Sequence, residues 1–178
     1  LLSVIKKILM FQKNITSVWA IKRNNLDWGI KLNRRLIMQD AVALAKKAAS
    51  QGEVPVGAIV LKGTKVIASS FNKTRQLNDP TAHAEILALR AAAKKLGNYR
   101  LPDGLLYTTL EPCPMCAGAI LEARIKTLIF GAYDIKNGAA GSVYNLVSKN
   151  TKIEIIGGVE EAECSLLLKD FFNQKRNK

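Results

Sequence analysis

Strand-like and helix-like segments alternate along the sequence, and this alternation is the feature that most restricts what the chain can fold into. Two β-branched runs flank Gly63 and predict a hairpin over residues 54–72. Three further short apolar runs predict strands, over residues 104–112, 126–133 and 152–158. Four longer segments are typical of helices: residues 36–52, 79–97, 113–125 and 159–178. Such an alternation predicts one α/β domain with helices on both faces of a mixed sheet.

Local signals indicate where the helices and loops begin and end. Asp79 and Thr81 are candidates for capping the second helix, and Gly97 ends it. Pro114 fits the first turn of the third helix, where its missing N–H is tolerated. A Gly-rich loop is predicted over residues 134–142 and a short helical turn over residues 143–149. The predicted elements therefore follow one another without repeats or linkers.

The charge of the chain points to an anionic partner. The sequence has 27 Lys and Arg against 14 Asp and Glu, a formal net charge of +13. Such an excess favours nucleic acid as the partner, with a membrane surface as the second alternative. No apolar run in the sequence reaches the ~18 residues typical of a membrane-spanning helix. Three cysteines do not indicate a disulfide framework, so we expect a reducing compartment.

The first 36 residues differ in composition from the rest of the chain. Residues 1–35 contain eight basic residues and one acid, Asp27, and hold more than half of the net charge. The sequence opens with Leu, and Met38 lies at the start of the first predicted helix. We interpret residues 1–36 as an extension that is disordered or not native, and residues 37–178 as the folded domain. An organelle transit peptide is the alternative, because the segment is basic and poor in acids.

Three potential metal ligands lie at predicted helix starts. His83, the only histidine, begins the second helix, and Cys113 and Cys116 form a Cys-x-x-Cys at the start of the third. The cysteine pair alone fits a redox pair or half of a structural zinc site, but a structural site needs four protein ligands. The remaining Cys164 is predicted to be a buried apolar residue. One histidine and two cysteines would leave an open position, as in a catalytic zinc site.

Glu85 supplies the acid–base group that such a site needs. A catalytic zinc lowers the pKa of its water to about 7, and a nearby carboxylate can take the proton and pass it to a leaving amine. His-x-Glu followed by Pro-Cys-x-x-Cys is a signature of zinc deaminases, and here it reads HAE at 83–85 and PCPMC at 112–116. His83 alone could cap a helix and Glu85 alone could interact with its dipole. The two halves of the motif together favour a deaminase.

Longer stretches of the sequence resemble the bacterial tRNA adenosine deaminases, which convert the wobble adenosine of an anticodon to inosine. The resemblance extends from about Met38 to Arg176, over the stretches EVPVGAIV (53–60), DPTAHAEILALR (79–90), YRL (99–101), TLEPCPMCAGAI (109–120), FGAYDIKNGAAGS (130–142) and AECSLLLKDFF (162–172). It implies the three-layer α/β/α cytidine-deaminase-like fold, with a mixed five-stranded sheet. It also implies one Zn²⁺ per subunit, a homodimer, a tRNA anticodon stem-loop as substrate, and a cytoplasmic protein, or an organellar one if residues 1–36 are a transit peptide.

The resemblance implies a role for each matching residue. His83, Cys113 and Cys116 would ligate the zinc, and Glu85 would carry protons. The residues implied to contact the flipped base are Asn72, the backbone of Ala84 and Pro112, and the pocket-lining Val54, Pro55 and Val56. The residues implied to contact the RNA are Arg100, Asp134, Lys136, Phe171, Phe172 and Arg176. Of the two phenylalanines, we expect one to pack inward and the other to be exposed.

Two alternatives remain open from the sequence. A zinc deaminase acting on free cytosine, guanine or a nucleotide would have a similar metal site. The free-cytidine enzymes, however, commonly have Cys at the position of His83, and the riboflavin-pathway relatives have a longer gap between their cysteines. A non-catalytic RNA-binding subunit of a deaminase complex would share the fold, but such subunits often lack the acidic residue found here at Glu85.

Overall fold

A five-stranded mixed sheet forms the centre of the molecule. The computed structural model describes residues 34–147 and 152–176. The strands are β1 (Gly57–Lys62), β2 (Lys65–Phe71), β3 (Gly104–Leu110), β4 (Thr127–Ala132) and β5 (Glu154–Ile156), and their order in the sheet is β2-β1-β3-β4-β5. β1 is antiparallel to both neighbours, whereas β3, β4 and β5 are parallel. The mixed sheet predicted for this chain is confirmed.

Helices cover both faces of the sheet, because both faces of its central strands are apolar. The helices are α1 (34–50), α2 (Thr74–Leu77), α3 (Ala84–Leu96), α4 (Pro114–Glu122) and α5 (Glu161–Arg176). Side chains alternate across β1: Ala58 and Val60 join the core under α3 and α4, while Ile59 and Leu61 join the core that contains residues of α1 and α5. Each large apolar side chain buried in this way contributes about 1.5–3 kcal/mol. The three-layer α/β/α fold is therefore confirmed.

One end of the sheet collects the residues implied to act on substrate. Because β1 runs antiparallel to β2 and β3, it begins where those two strands end: Gly57 pairs with Phe71 and Ala58 pairs with Thr108. β4 is parallel to β3 and ends at the same edge. The segments before β1 and after β2, β3 and β4 therefore meet there, as ligand-binding segments do at the carboxyl ends of parallel strands.

The fold differs from the local predictions at three points. The predicted helical turn after residue 142 is wrong over the described residues 143–147, which form turns and a single bridge between Ala140 and Asn145. α2 was not predicted. The predicted capping of α3 by Asp79 or Thr81 is also wrong. Asp79 accepts hydrogen bonds from the backbone N–H and the hydroxyl of Thr81. The N-cap residue of α3 is His83, whose side chain makes no capping hydrogen bond. That leaves the His83 ring available for other contacts.

The prediction for residues 1–36 falls almost wholly outside the described residues, so the domain boundary stays a prediction. The whole sheet lies within a compact unit, Ile37–Lys178. Within it α1 approaches β1 so closely that a Cβ at Gly57 would overlap the Ala41 carbonyl oxygen. Among the described helices, none combines the length and apolar character that crossing a lipid bilayer requires.

Candidate active site

The fold brings His83, Cys113 and Cys116 together from two helix starts. His83 is the N-cap residue of α3, Cys113 is the N-cap residue of α4, and Cys116 lies in the first turn of α4. The two N-cap residues have extended backbone and no side-chain cap hydrogen bond, so their side chains turn toward each other. Nδ1 of His83 lies 3.7 Å from Sγ of Cys113 and 3.5 Å from Sγ of Cys116.

These three side chains fit a tetrahedral zinc ion. A nitrogen at 2.0–2.1 Å and a sulfur at 2.3 Å from a shared tetrahedral zinc lie about 3.5–3.6 Å apart, and the two observed Nδ1–Sγ distances are 3.7 and 3.5 Å. All three ligand atoms lie within 4.8 Å of one another. One imidazole and two thiolates are also the donor chemistry that zinc prefers. The group can therefore hold a metal ion, and its donors favour zinc.

A hydrogen bond between the two cysteines changes their thiol pKa values in opposite directions. A hydrogen bond from the Cys116 thiol lowers the pKa of Cys113 to about 4, and pairing with Cys113 raises the pKa of Cys116. The hydrogen bond with Cys113 raises the pKa of His83. Cys113 is thus disposed to be a thiolate near neutral pH, which is the form that binds a metal.

Glu85 lies in the first turn of α3, beside the metal-ligand group. Its side chain is 4% exposed, and burial is the main reason why its pKa is raised. A carboxyl group whose pKa is moved toward neutrality can both accept and donate a proton. Glu85 therefore has the position and the acid–base character of a proton carrier.

A pocket of ≈ 330 Å³ opens beside these groups at the end of the sheet. Its lining includes Val54, Val56, Asn72, His83, Glu85, Cys113 and Asp134 among the residues implied from sequence. Its other lining residues are Thr74, Leu110, Glu111, Pro114 and Asn137. The buried residues Pro55, Ala84 and Pro112 each adjoin a lining residue in sequence. Three of the six implied base-contacting residues thus line one cavity, and the other three are next to lining residues in sequence.

The residues implied to contact RNA are spread over the surface. Lys136 is exposed in the loop after β4, next to the pocket-lining Asn137. Phe172 is 47% exposed and Phe171 is half-buried, which identifies the exposed phenylalanine, and Arg176 is exposed at the end of α5. Arg100 is exposed before β3, at the end of the sheet away from the pocket, where it lines a second cavity with Lys62.

Sequence reasoning missed two buried glutamates that organise this end of the molecule. Glu53 is 0% exposed, and its carboxyl group accepts hydrogen bonds from the backbone of Gln76 and from the side chains of Asn72 and Thr74. Its only signal in the sequence is a charged residue directly before the apolar segment VPVGAIV.

Glu111 is the second missed residue, although it lies within the motif TLEPC. It is 1% exposed and accepts hydrogen bonds from the backbone N–H groups of Asp134, Ala140 and Ser142 and from the Ser142 hydroxyl. Gly138 allows this packing, since a Cβ there would overlap Oε2 of Glu111. Glu111 thereby holds the loop that forms one wall of the pocket.

Known proteins are similar to this chain in sequence and in fold. The family model for MafB19-like deaminases matches residues 32–176. The tRNA-specific adenosine deaminase of Haemophilus influenzae is 48% identical over 144 residues, which cover 79% of this chain and 83% of that protein. A solved structure from a study of A-to-I editing by tRNA:A34 deaminases at the wobble position of transfer RNA is 46% identical, with a TM-score of 0.71, and the match covers 74% of this chain and 97% of that one.

A nucleobase deaminase is also similar to this chain. The guanine deaminase of Bacillus subtilis is 43% identical, with a TM-score of 0.54, and the match covers 61% of this chain and 68% of that one. The structural match is weaker and shorter than the match to the tRNA:A34 deaminase.

Proposed function

This chain belongs to the tRNA-specific adenosine deaminases and contains a MafB19-like deaminase domain, and we propose from this premise that its active site lies in the pocket beside His83. The protein is a hydrolytic deaminase that converts the wobble adenosine of a tRNA anticodon to inosine. One observation carries the proposal: three potential metal ligands, His83, Cys113 and Cys116, lie together, and Glu85 lines the same pocket as His83 and Cys113.

The cofactor that fits the site is one Zn²⁺ held by His83, Cys113 and Cys116. When bound, zinc supplies a Lewis acid that makes a water nucleophilic near neutral pH. The three residues contribute one neutral and two anionic donors, so the two thiolates balance the charge of the ion. The low pKa of Cys113 supports this assignment, because a thiolate ligand is available before the metal binds.

Glu85 is the proton carrier of the reaction. Its buried carboxyl group takes one proton from the attacking water and delivers it to the ring nitrogen. The same group then takes the proton of the hydroxyl newly attached to the reacting carbon and delivers it to the amine, which departs as ammonia. Burial supports this role, because it raises the pKa of Glu85 and so favours a group that cycles between its two protonation states. Glu85 is not one of the proposed ligands, so its loss should affect turnover rather than metal binding.

The rest of the pocket holds the base. Val54 and Val56 contribute apolar surface to the lining, and Asn72 supplies a polar group that can orient the base by hydrogen bonding. The backbone next to the ligands, at Ala84 and Pro112, is close enough in sequence to contribute further contacts. A base must leave its stack to enter such a pocket, at a cost of about a few kcal/mol that is smallest in a single-stranded loop. An anticodon loop meets this condition.

Exposed cations and an exposed ring would bind the surrounding RNA. Lys136 is exposed between the pocket-lining Asp134 and Asn137, and Phe172 and Arg176 lie on the last helix. Lysine and arginine contact phosphates, and an exposed ring can stack on an unpaired base. Asp134 also lines the pocket. Arg100 lies too far from this pocket to act on the same base, so we assign it to RNA more distant from the reacting nucleotide.

A homodimer in a reducing compartment is the assembly we propose. Three exposed apolar side chains, Val143, Tyr144 and Leu146, occur within one short segment, and such a patch is typical of an interaction surface. The three cysteines are free, which suits the cytoplasm. Light scattering of the purified chain measures the assembly directly, and a monomer at micromolar concentration would contradict it.

Guanine deamination is the second candidate, favoured by the 43% identity to the guanine deaminase of Bacillus subtilis. One experiment separates the two. The purified chain is incubated with an anticodon stem-loop that has adenosine at the wobble position, and in parallel with free adenosine, cytidine and guanine. We expect inosine in the stem-loop and no product from the free compounds. Deamination of free guanine without inosine in the RNA would favour the second candidate.

A matched RNA tests the position of the reaction. In this control stem-loop the adenosine is moved one nucleotide along the loop, so that composition and charge are unchanged. Inosine should form only in the wobble-position RNA. Equal reaction of both RNAs would show that the protein does not select the wobble nucleotide.

A further inference from the structure

Glu53 is a buried acid that accepts hydrogen bonds from Asn72 and Thr74, two residues of the pocket lining. It is 0% exposed and directly precedes the pocket-lining Val54. Oε1 accepts the backbone N–H of Gln76 at 2.7 Å. Oε2 accepts Nδ2 of Asn72 and the hydroxyl of Thr74, each at 3.2 Å. The carboxyl group therefore joins α2 to the end of β2.

These contacts determine which end of the Asn72 amide faces Glu53. A carboxylate only accepts hydrogen bonds, so the NH₂ end of the amide must point toward it. Thr74 gives its single hydroxyl proton to Glu53 and can accept the second Nδ2 hydrogen, at 3.2 Å. Both side-chain hydrogen bonds of Asn72 to described residues use Nδ2. Oδ1 is then the amide atom left for a ligand, and Asn72 lines the pocket.

We propose that Glu53 is a positioning residue of the active site, which holds Nδ2 of Asn72 and presents Oδ1 to the pocket as a hydrogen-bond acceptor for an N–H or O–H of the substrate. The role rests on the proposed function, in which Asn72 contacts the substrate. An amide free to flip would present either end, and a fixed one is preorganised for a single pairing. Glu53 itself does not touch the substrate.

The substitution Glu53→Gln tests the proposal because it reverses the Asn72 amide. The backbone N–H of Gln76 still requires an acceptor, so the oxygen of the introduced amide stays at the Oε1 position and its NH₂ takes the Oε2 position. That NH₂ now faces Asn72, whose oxygen must turn toward it and away from the pocket. We expect roughly a tenfold or larger loss in kcat/KM for inosine formation in the stem-loop, with zinc content and melting temperature close to wild type.

A double-mutant cycle separates positioning from simple support of the fold. Single-turnover rates are measured for wild type, E53Q, N72A and E53Q/N72A with enzyme in excess. If Glu53 acts through the Asn72 amide, E53Q costs nothing further once Asn72 is alanine. Losses that add would overturn the proposal, because Glu53 would then act through Gln76 and α2 instead.

Exchanging the acid and the amide between positions 53 and 72 tests whether Oδ1 of Asn72 faces the pocket. In E53Q/N72D the NH₂ introduced at position 53 donates to one oxygen of the carboxylate introduced at position 72. The other oxygen of that carboxylate faces the pocket, as Oδ1 of Asn72 does in the wild type. We expect this double variant to recover most of the activity that E53Q loses, whereas N72D alone brings two carboxylates together and stays inactive. If E53Q/N72D is no more active than E53Q, the assignment of Oδ1 is wrong.

Gln76→Ala is the matched control at the same network, because it removes an exposed side chain while the backbone N–H of residue 76 still donates to Glu53 and the hydrogen bond between Glu53 and Asn72 remains. It should retain activity within about twofold of wild type, since the main anchor of the amide remains. A loss as large as that of E53Q would overturn the role of Glu53. Failure of the proposed function is distinct from all of these outcomes, because wild type would then form no inosine in the stem-loop.

Discussion

The two halves of the pocket are built by different means. The inner half consists of two helix starts, which carry His83, Glu85 and Cys113 within a few residues of the first turns of α3 and α4. The outer half consists of α2 and the loop after β4, each held by one buried glutamate, Glu53 or Glu111. The inner half depends on local backbone geometry, and the outer half depends on hydrogen bonds between segments distant in sequence.

Glu85 and Glu111 line the same pocket, one in each half, and different influences dominate at their carboxyl groups. Glu111 accepts hydrogen bonds from three backbone N–H groups and a hydroxyl, so its oxygens are occupied by structural contacts. For Glu85 burial is the dominant influence, and it raises the pKa. A fully bonded buried carboxylate supports a loop, whereas one that burial pushes toward neutrality can exchange protons.

The largest expected effect comes from breaking the inner half at a proposed metal ligand. Cys113→Ser should prevent zinc binding and abolish inosine formation, because a hydroxyl is a poor substitute for a thiolate. Cys164→Ala is the control, since Cys164 is a buried cysteine of α5 outside the metal-ligand group. Metal analysis of the purified variants and the stem-loop assay measure both effects. One zinc per chain in C113S would contradict the assignment.

Glu85→Gln removes the proposed proton carrier and leaves the three proposed metal ligands in place. Loss of the proton carrier should reduce kcat by about 10²–10⁴-fold, with zinc content and stem-loop affinity unchanged. Glu122→Gln, at the last residue of α4 and outside the pocket lining, is the matched control and should be fully active. If zinc were lost together with activity in E85Q, Glu85 would be a ligand rather than a proton carrier.

Glu111→Gln tests the outer half. Its NH₂ would face backbone N–H groups that need an acceptor, so the free energy of unfolding should fall by about 2–4 kcal/mol, and KM for the stem-loop should rise as the loop loosens. Ser142→Ala removes only one of the donors and should have a smaller effect. Denaturant unfolding and amide exchange at Ala140 measure the change. An unchanged unfolding midpoint in E111Q would show that the loop is held by other contacts.

The smallest expected effect lies at the RNA surface outside the pocket. Phe172→Ala should weaken stem-loop binding by about 1–3 kcal/mol if the ring stacks on an unpaired base, with kcat unchanged at saturating RNA. Leu166→Ala is the control, because Leu166 is 57% exposed on the same helix and has no ring. Fluorescence titration with a labelled stem-loop gives both affinities. Equal affinities for F172A and wild type would exclude a stacking role.

Short-range patterns predicted the inner half of the pocket and most of the fold. The alternation of strands and helices predicted a mixed sheet with helices on both faces. The motif predicted that His83, Cys113 and Cys116 form one group of potential metal ligands, and the structure brings these three side chains together. The predictions that failed concern helix ends and turns. Asp79 could cap a helix by its residue type, but its oxygen is used by Thr81 two residues later.

By itself, the sequence determined the α/β architecture and the identity of the residues at the helix starts, because periodicity and motif spacing act within a few residues. Only the tertiary structure decided which polar groups organise the rest of the pocket. Glu53 meets Asn72 across 19 positions and Glu111 meets Ser142 across 31. Whether a given glutamate finds such donors, and whether Phe171 or Phe172 faces solvent, depends on how distant segments pack, which no local pattern records.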